Sequence, residues 1–384
     1  MFELMSRRIG ILAIATMLAF LSACGGSKPF MRRESGPVAA ATIVSPKAGA
    51  TDVPAGIEIQ FTVERATSVQ VALVDAAGAS IAGNLRSDGT TWLPDKALKY
   101  ATKYSATVTA TGDDGKPATA TSAFTTMARP ANQVRVSSVV GDDMVVGIGM
   151  PMIVQFGRDV PKDVRAAVQQ RLTVQSTPPQ EGAWRWYNAR EMHYRPKEFW
   201  QPGTKLNMTV RTGGLPMGDG WYGRNDLTVS ASIGPALTMQ VDNATKQMTV
   251  TENGVVTKTI PVSLGRPSMP SSSGTMIVME KLAKTVFDTT RDPNPANRYR
   301  TDIEFAQRIT WSGQFIHAAP WSVDDQGERN VSHGCINMST ENAQWLFGKT
   351  RIGDPVTVKG TEEQVQFGNG WTDWSMPWAE YSKG

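Results

Sequence analysis

"WLPDKALKYATKYSATVTA" occupies residues 92–110, and "YRPKEFWQPGTKLNMTVRT" occupies residues 194–212. With Pro94 set on Pro196 the offset is 102 residues, so that Thr102-Lys103 falls on Thr204-Lys205 and a β-alternating run follows in both copies. Side chains that alternate apolar and polar suit a strand with one face buried. Around the first copy, "IEIQFTV" (57–63), "VQVALVD" (69–75) and "YSATVTATG" (104–112) alternate or are β-branched, with turn residues between them. The pattern predicts two similar β-sandwiches in tandem, over 41–127 and 128–232, with "MARPANQ" (127–133) between them. Neither block carries a catalytic constellation, which makes them spacers or docking modules. His193, in "REMHYRP", reads as a structural histidine.

Toward the C-terminus the texture changes. "ALTMQVDNATKQMTVTENGVVTKTIPVSLG" reads as three strands, and Asn253-Gly254 between apolar runs is the signal of a type I′ hairpin turn. "RPSMPSSSG" (266–274) reads as a loop. "TENAQWLFGKT" (340–350) has an acidic start, a late lysine and apolar residues at helical spacing, with Ser339 or Thr340 as its cap. "DPVTVKG" closes as a strand, which bounds a third, β-rich domain at 233–360. The remainder, 361–384, concentrates Trp371, Trp374 and Trp378, and Pro377 argues against one regular helix there. Such a segment reads as a tail buried against a neighbouring domain.

At the other end, Arg7 and Arg8 precede the apolar run "ILAIATMLAFLSA". A charged n-region and a short apolar h-region make 1–23 a secretory signal, since the run falls short of the ~20 residues of a comfortable span. Leu21-Ser22-Ala23-Cys24 followed by two glycines resembles a bacterial lipobox. It predicts lipidation of Cys24, a tether over 24–40 rich in glycine, proline and charge, and an anchor to a membrane surface without a span.

The whole chain has 384 residues, 40% hydrophobic and 19% charged, with a net charge of +4. That composition is ordinary for globular domains. The mild positive excess suits a polyanionic neighbour, but without a dense basic patch interleaved with aromatics it makes a weak case for nucleic acid, and none is expected as a partner.

With Cys24 acylated, the second of the two cysteines, Cys335, has no partner in the chain. A leftover cysteine in an exported protein points to a reactive thiol. The thiolate is the nucleophile, and a nearby imidazole lowers a free thiol's pKa of ~8.5. Two of the three histidines, His317 in "FIHAAPW" and His333 in "VSHGCINMST", flank Cys335 in sequence. Spacing alone leaves either as the base. Gly334 allows close backbone approach, which makes the amides of 333–335 a candidate oxyanion hole. Two rival readings use the same residues. His317, His333 and Cys335 as three zinc ligands lack a usual spacing and a catalytic glutamate. A non-catalytic wall-binding lipoprotein leaves the cluster unexplained.

"HAAPW" followed by "SHGCIN", with "GRPSMPSSSGT" upstream, resembles the L,D-transpeptidase signature. The layout resembles the actinobacterial type over about residues 40–380: a lipid anchor, two immunoglobulin-like domains, a catalytic domain and a tryptophan-rich tail. The fold so implied is mainly β. The resemblance implies that Cys335 is the acylated nucleophile, that His317 is its base, oriented by the backbone carbonyl of Ala318, and that His333 and Gly334 serve structure and the oxyanion hole. It implies that Tyr299, Trp321, Ser332 and Asn337 line the pocket or orient its groups, with a Tyr299 hydroxyl at the oxyanion site. Phe287 falls where relatives carry a methionine on a mobile lid. The implied substrate is the peptidoglycan stem peptide, a tetrapeptide donor that loses D-Ala and a side-chain amine acceptor that gives a 3→3 crosslink. Hydrolysis of the same thioester, an L,D-carboxypeptidase activity, is the alternative. Carbapenem β-lactams are implied as acylating inhibitors, and no metal or organic cofactor is implied.

Overall fold

The structure is a computed structural model that describes residues 38–384. The signal segment and Cys24 therefore lie outside the described residues. The chain is mainly β.

The tandem repeat read from the sequence is present as geometry. In the first sandwich the strand Thr91–Pro94 lies in a four-stranded sheet, and the chain crosses after Pro94 to the strand Lys103–Thr111 of the opposing three-stranded sheet. In the second, the strand Glu191–Pro196 lies in one four-stranded sheet and the chain crosses after Pro196 to Lys205–Val210 in the other. Alternation does what it predicts: in Lys103–Thr111 the residues Tyr104, Ala106, Val108 and Ala110 are buried, and in Lys205–Val210 Leu206, Met208 and Val210 are buried. The first core closes around Ile59, Phe61, Leu73, Tyr104 and Phe124.

The third unit holds a six-stranded sheet in the order Val255–Pro261, Gln247–Glu252, Leu237–Asp242, Pro355–Lys359, Ser272–Ile277, Glu363–Gln364. A second, four-stranded sheet runs Glu280–Asp288, Arg300–Arg308, Phe315–Ala318, Ile336–Met338. Asn253 (φ 51°) and Gly254 (φ 82°) form the two-residue turn between Glu252 and Val255, as the Asn-Gly signal requires. The helix Thr340–Lys349 is capped by Ser339, whose side chain accepts from the Asn342 amide, and it buries Ala343 and Leu346. One expectation fails here: 272–274 belong to a strand, because Ser272–Ile277 pairs with Pro355–Lys359 and with the short strand Glu363–Gln364. The loop is confined to 266–271.

The two junctions between units differ in chemistry. Between the sandwiches the contact is polar: Arg171 donates to the Gly56 carbonyl (2.9 Å) and pairs with Glu58 (3.2 Å). The junction of the second sandwich with the third unit is apolar and close. Gly147 and Gly149 donate to the carbonyls of Ile352 and Gly353 at 2.8 and 2.9 Å. A Cβ on Gly147 would lie 2.2 Å from the Asp354 amide, so only glycine permits this approach.

The tail seals this second junction. Trp371 shares a core with Ile277, Met279 and the second sandwich. Trp374 packs on Phe199 (4.3 Å between centroids) and donates to the Gly149 carbonyl (2.8 Å). Pro377 separates the short turns Asp373–Ser375 and Trp378–Tyr381. Beneath them His193 is fully buried, its Nδ1 2.9 Å from Asp373 and its Nε2 2.8 Å from Glu191. The Tyr187 ring stacks on it at 4.2 Å. Burial alone would lower the pKa of His193, but the carboxylates of Asp373 and Glu191 outweigh it and push it up to about 9. His193 is a buried imidazolium that pins the tail to the second sandwich.

Candidate active site

The four-stranded sheet of the third unit brings the sequence motifs together. Phe315–Ala318 and Ile336–Met338 are adjacent parallel strands, with His317 opposite Asn337 in register. His317 and Ala318 lie on the first strand, and Cys335 immediately precedes the second. The antiparallel hairpin of Glu280–Asp288 and Arg300–Arg308 supplies Phe287 and, from its tip, Tyr299. The result is a cleft of about 550 Å³ lined by Phe287, Tyr299, His317, Trp321, Ser332, His333, Cys335 and Asn337, every one of them singled out in the sequence.

His317 is 3% exposed, and its Nδ1 lies 2.7 Å from the Ala318 carbonyl oxygen. A carbonyl only accepts, so Nδ1 carries the hydrogen and Nε2 is left as the basic nitrogen. Burial lowers the pKa of His317 to about 4, and the Ala318 bond offsets only part of this. The imidazole is therefore neutral at neutral pH. Alanine at 318 is no obstacle, since the main chain does the orienting.

The thiol departs from expectation. Cys335 packs with Ile303, Ala306 and Phe315, and its Sγ faces the Gly313 carbonyl at 3.8 Å. Burial pushes its pKa up to about 11, against the partial help of the Phe315 amide and Arg308. The sequence predicts a histidine-lowered thiolate, but burial keeps both the Cys335 thiol and the His317 imidazole neutral. No group of three His, Cys, Asp or Glu side chains among the described residues is arranged to hold a metal ion, so His317, His333 and Cys335 are not a ligand set.

The segment 332–335 is bent, so His333 and Cys335 do not share a strand face. Gly334 has φ 112°, a region closed to side-chain-bearing residues. The Ser332 hydroxyl donates to the Cys335 carbonyl (2.6 Å) and accepts from the Gly334 amide (3.1 Å), which sets the shape of the turn. The Ser271 hydroxyl, unremarked in the sequence, donates to the Gly334 carbonyl (2.8 Å). Asn337 Nδ2 reaches the Ser322 hydroxyl at 3.3 Å, while its buried Oδ1 has no partner and remains an acceptor at the cleft. Trp321 is 57% exposed, its ring 6.1 Å from that of His317. Tyr299 lies 5.1 Å from the His333 ring, and its pKa is raised by burial and by the proximity of Cys335. Phe287 stands edge-on to His317 at 5.3 Å and closes that side. Among the cleft residues that sequence reasoning missed are two charged ones on loops, Arg266 and Arg298. Their signal was positional only: one follows the glycine of the upstream loop and the other precedes Tyr299.

Comparison with known proteins agrees with this architecture. Residues 237–358 match the L,D-transpeptidase catalytic domain family (YkuD), and residues 50–216 match a bacterial Ig domain family (Big_10). L,D-transpeptidase 2 of Mycobacterium tuberculosis is 35% identical over 340 residues, 88% of this chain and 82% of the relative. L,D-transpeptidase 5 of the same species is 33% identical, over 97% of this chain and 84% of the relative. The solved structure of LD transpeptidase LdtMt1 in complex with imipenem superposes with a TM-score of 0.51 at 33% identity, covering 60% of this chain and all of that one. The chain belongs to the L,D-transpeptidase family, whose members are cysteine-dependent enzymes that act through a thioester.

Proposed function

We propose that this chain forms 3→3 crosslinks between peptidoglycan stem peptides, with Cys335 as nucleophile and His317 as base. The observation that carries the assignment is the Nδ1 bond of His317 to the Ala318 carbonyl, which leaves a buried, neutral Nε2 on the strand beside Cys335. A neutral pair suits a reaction in which the thiol loses its proton only as it attacks. Sγ bonds to the carbonyl carbon of the third residue of a tetrapeptide donor, and His317 Nε2 takes the thiol proton. The C–N bond to D-Ala breaks, and the same proton leaves on the departing amine. The side-chain amine of a neighbouring stem then attacks the thioester, gives up its proton through His317 and restores the thiol. Splitting the transfer in two replaces one hard step by two easier ones. With the Gly334 amide held by Ser332, the neighbouring amides of His333 and Cys335, with the Tyr299 hydroxyl, are the proposed donors to the developing oxyanion. The same thiol is the proposed site of carbapenem acylation.

The domain assignment belongs to the same proposal: immunoglobulin-like units over 41–127 and 128–232, a catalytic domain over 233–360 and a tryptophan-rich extension over 361–384. Lipidation of Cys24 after export would place the anchor at the outer face of the cytoplasmic membrane, and the two sandwiches would hold the cleft out toward the wall.

The test is mass spectrometry of the purified full-length protein with a disaccharide-tetrapeptide, beside Cys335→Ala. The expected result is release of D-Ala and a dimer that carries a 3→3 bond, both absent from the variant. Release of D-Ala without dimer from a preparation supplied with acceptor would assign hydrolysis instead. No release, with no covalent adduct on exposure to a carbapenem, would overturn the reading.

A further inference from the structure

The Cys335 thiol is not bonded to its proposed base. Sγ faces the Gly313 carbonyl at 3.8 Å, and among the described residues no hydrogen bond joins it to His317. Gly313 lies in the tight turn that precedes the strand Phe315–Ala318, where its φ is 96°. Inside the turn, the Thr310 hydroxyl accepts from the Gln314 amide (2.9 Å), and the Ile309 amide donates to the Gln314 carbonyl (3.0 Å). Both flanks of Gly313 are held by other elements. On one side Gln314 Oε1 accepts from the Ser272 amide (3.0 Å) and Nε2 donates to the Ser272 hydroxyl (3.1 Å). On the other side the C-terminal tail grips the turn. Asn369 Oδ1 accepts from the Ser312 amide (2.8 Å), and Asn369 Nδ2 donates to the Ser312 hydroxyl (2.9 Å). The next tail residue, Gly370, comes so near that a Cβ on it would lie 3.0 Å from the Ile309 carbonyl oxygen. Its own carbonyl accepts from the Tyr187 hydroxyl of the second sandwich. The ring of Trp311, on the turn, meets Trp371 of the tail edge-on at 6.5 Å.

We propose that Asn369 and Ser312 are positioning residues for the nucleophile: the clasp of the tail on the turn holds the Gly313 carbonyl against the resting Cys335 thiol and keeps its proton apart from His317. The inference rests on the reading of Cys335 as nucleophile and His317 as base. A carbonyl accepts from a thiol and repels a thiolate, so this contact favours the protonated form. Since the thiolate is the reactive species, a thiol held on Gly313 is guarded against stray electrophiles. To enter the reaction Sγ must leave the carbonyl and pass its proton to His317 Nε2. The clasp therefore sets how readily the thiol is released, although Asn369 and Ser312 touch neither the thiol nor the imidazole.

The test reads the thiol directly. The full-length chain is alkylated with iodoacetamide over a pH series, and modification of Cys335 is followed by mass spectrometry of its peptide. Below the pKa of the thiol the thiolate fraction rises about ten-fold per pH unit, so the rate near neutral pH reports how firmly the proton is held. Asn369→Ala removes both bonds to Ser312. It should raise that rate about three- to ten-fold and move the profile to lower pH by about half a unit to one unit. Ser312→Ala keeps the amide bond and should raise it less. Asn369→Asp still accepts from the Ser312 amide, and its second carboxylate oxygen accepts from the Ser312 hydroxyl, so it should restore the original profile. Ser339→Ala, which loosens the fold away from the clasp, should leave the profile unmoved. An unchanged or slower rate in Asn369→Ala, no rescue in Asn369→Asp, or an equal rise in Ser339→Ala would overturn the clasp. A chain alkylated at Cys335 that still releases D-Ala, with the rise and the rescue as expected, would overturn the nucleophile reading and leave the clasp standing.

Discussion

Two histidines of this chain are almost wholly buried, and burial alone lowers the pKa of each. His193, at the junction of the second sandwich with the tail, is pushed up to about 9. His317, in the cleft, is brought down to about 4. The difference lies in the partner: two carboxylates for the first, a single main-chain carbonyl for the second. A carboxylate stabilises the imidazolium and fixes a charge in the core. A carbonyl orients the ring without supplying charge, and the imidazole stays neutral. One histidine is thereby a bolt, and the other keeps the free basic nitrogen that the proposed base requires. The comparison teaches that burial does not assign a histidine's role; the formal charge of its hydrogen-bond acceptors does.

The largest effect expected is on turnover. His317→Gln should lower the rate of D-Ala release by about 10²–10⁴-fold, the usual worth of a positioned base, with only a small shift in the unfolding midpoint. The complementary change breaks the other member of the pair. His193→Gln leaves Asp373 and Glu191 buried without their cation and should cost about 3–5 kcal/mol of stability in denaturant unfolding, while the folded fraction keeps its kcat. A loss of turnover in His193→Gln at unchanged stability, or the reverse in His317→Gln, would dissolve the contrast.

A pH series sharpens it. His193 has a folded pKa above its unfolded value of about 6.5, so its contribution is full below that pH and is lost as pH rises through about 9. His317 has a folded pKa below its unfolded value, so stability falls as pH drops from about 6.5 toward 4. The two histidines should therefore contribute declines on opposite sides of about pH 6.5, that of His193 by a few kcal/mol on the alkaline side. His193→Gln should reduce the alkaline decline, and His317→Gln the acid decline. Loss of the same limb in both variants would show that other groups set the profile.

The smallest effect is a control. Ser339→Ala removes the cap of the helix beside the cleft strands and should cost about 1 kcal/mol, measured by thermal unfolding, with both limbs of the pH profile unmoved.

Much of this was legible in the sequence. The repeat around Pro94 and Pro196, the alternation of its strands, the Asn253-Gly254 turn and the Ser339 cap are local rules in which spacing fixes geometry, and each reappears in the structure. The pairing of Cys335 with two histidines was visible as residue types. Which nitrogen is basic was not, because it depends on a carbonyl brought into place by strand geometry.

What the sequence determined by itself was therefore the alternating strands around the repeat, the three strands that open the third unit and the chemical kinds of residue at the cleft, since these follow from short-range periodicity and side-chain chemistry. What only the tertiary structure decided was charge: the cation at His193, the neutral His317 and the protonated Cys335. Protonation responds to burial and to groups brought close in space, and the Asp373 that charges His193 lies 180 residues away along the chain.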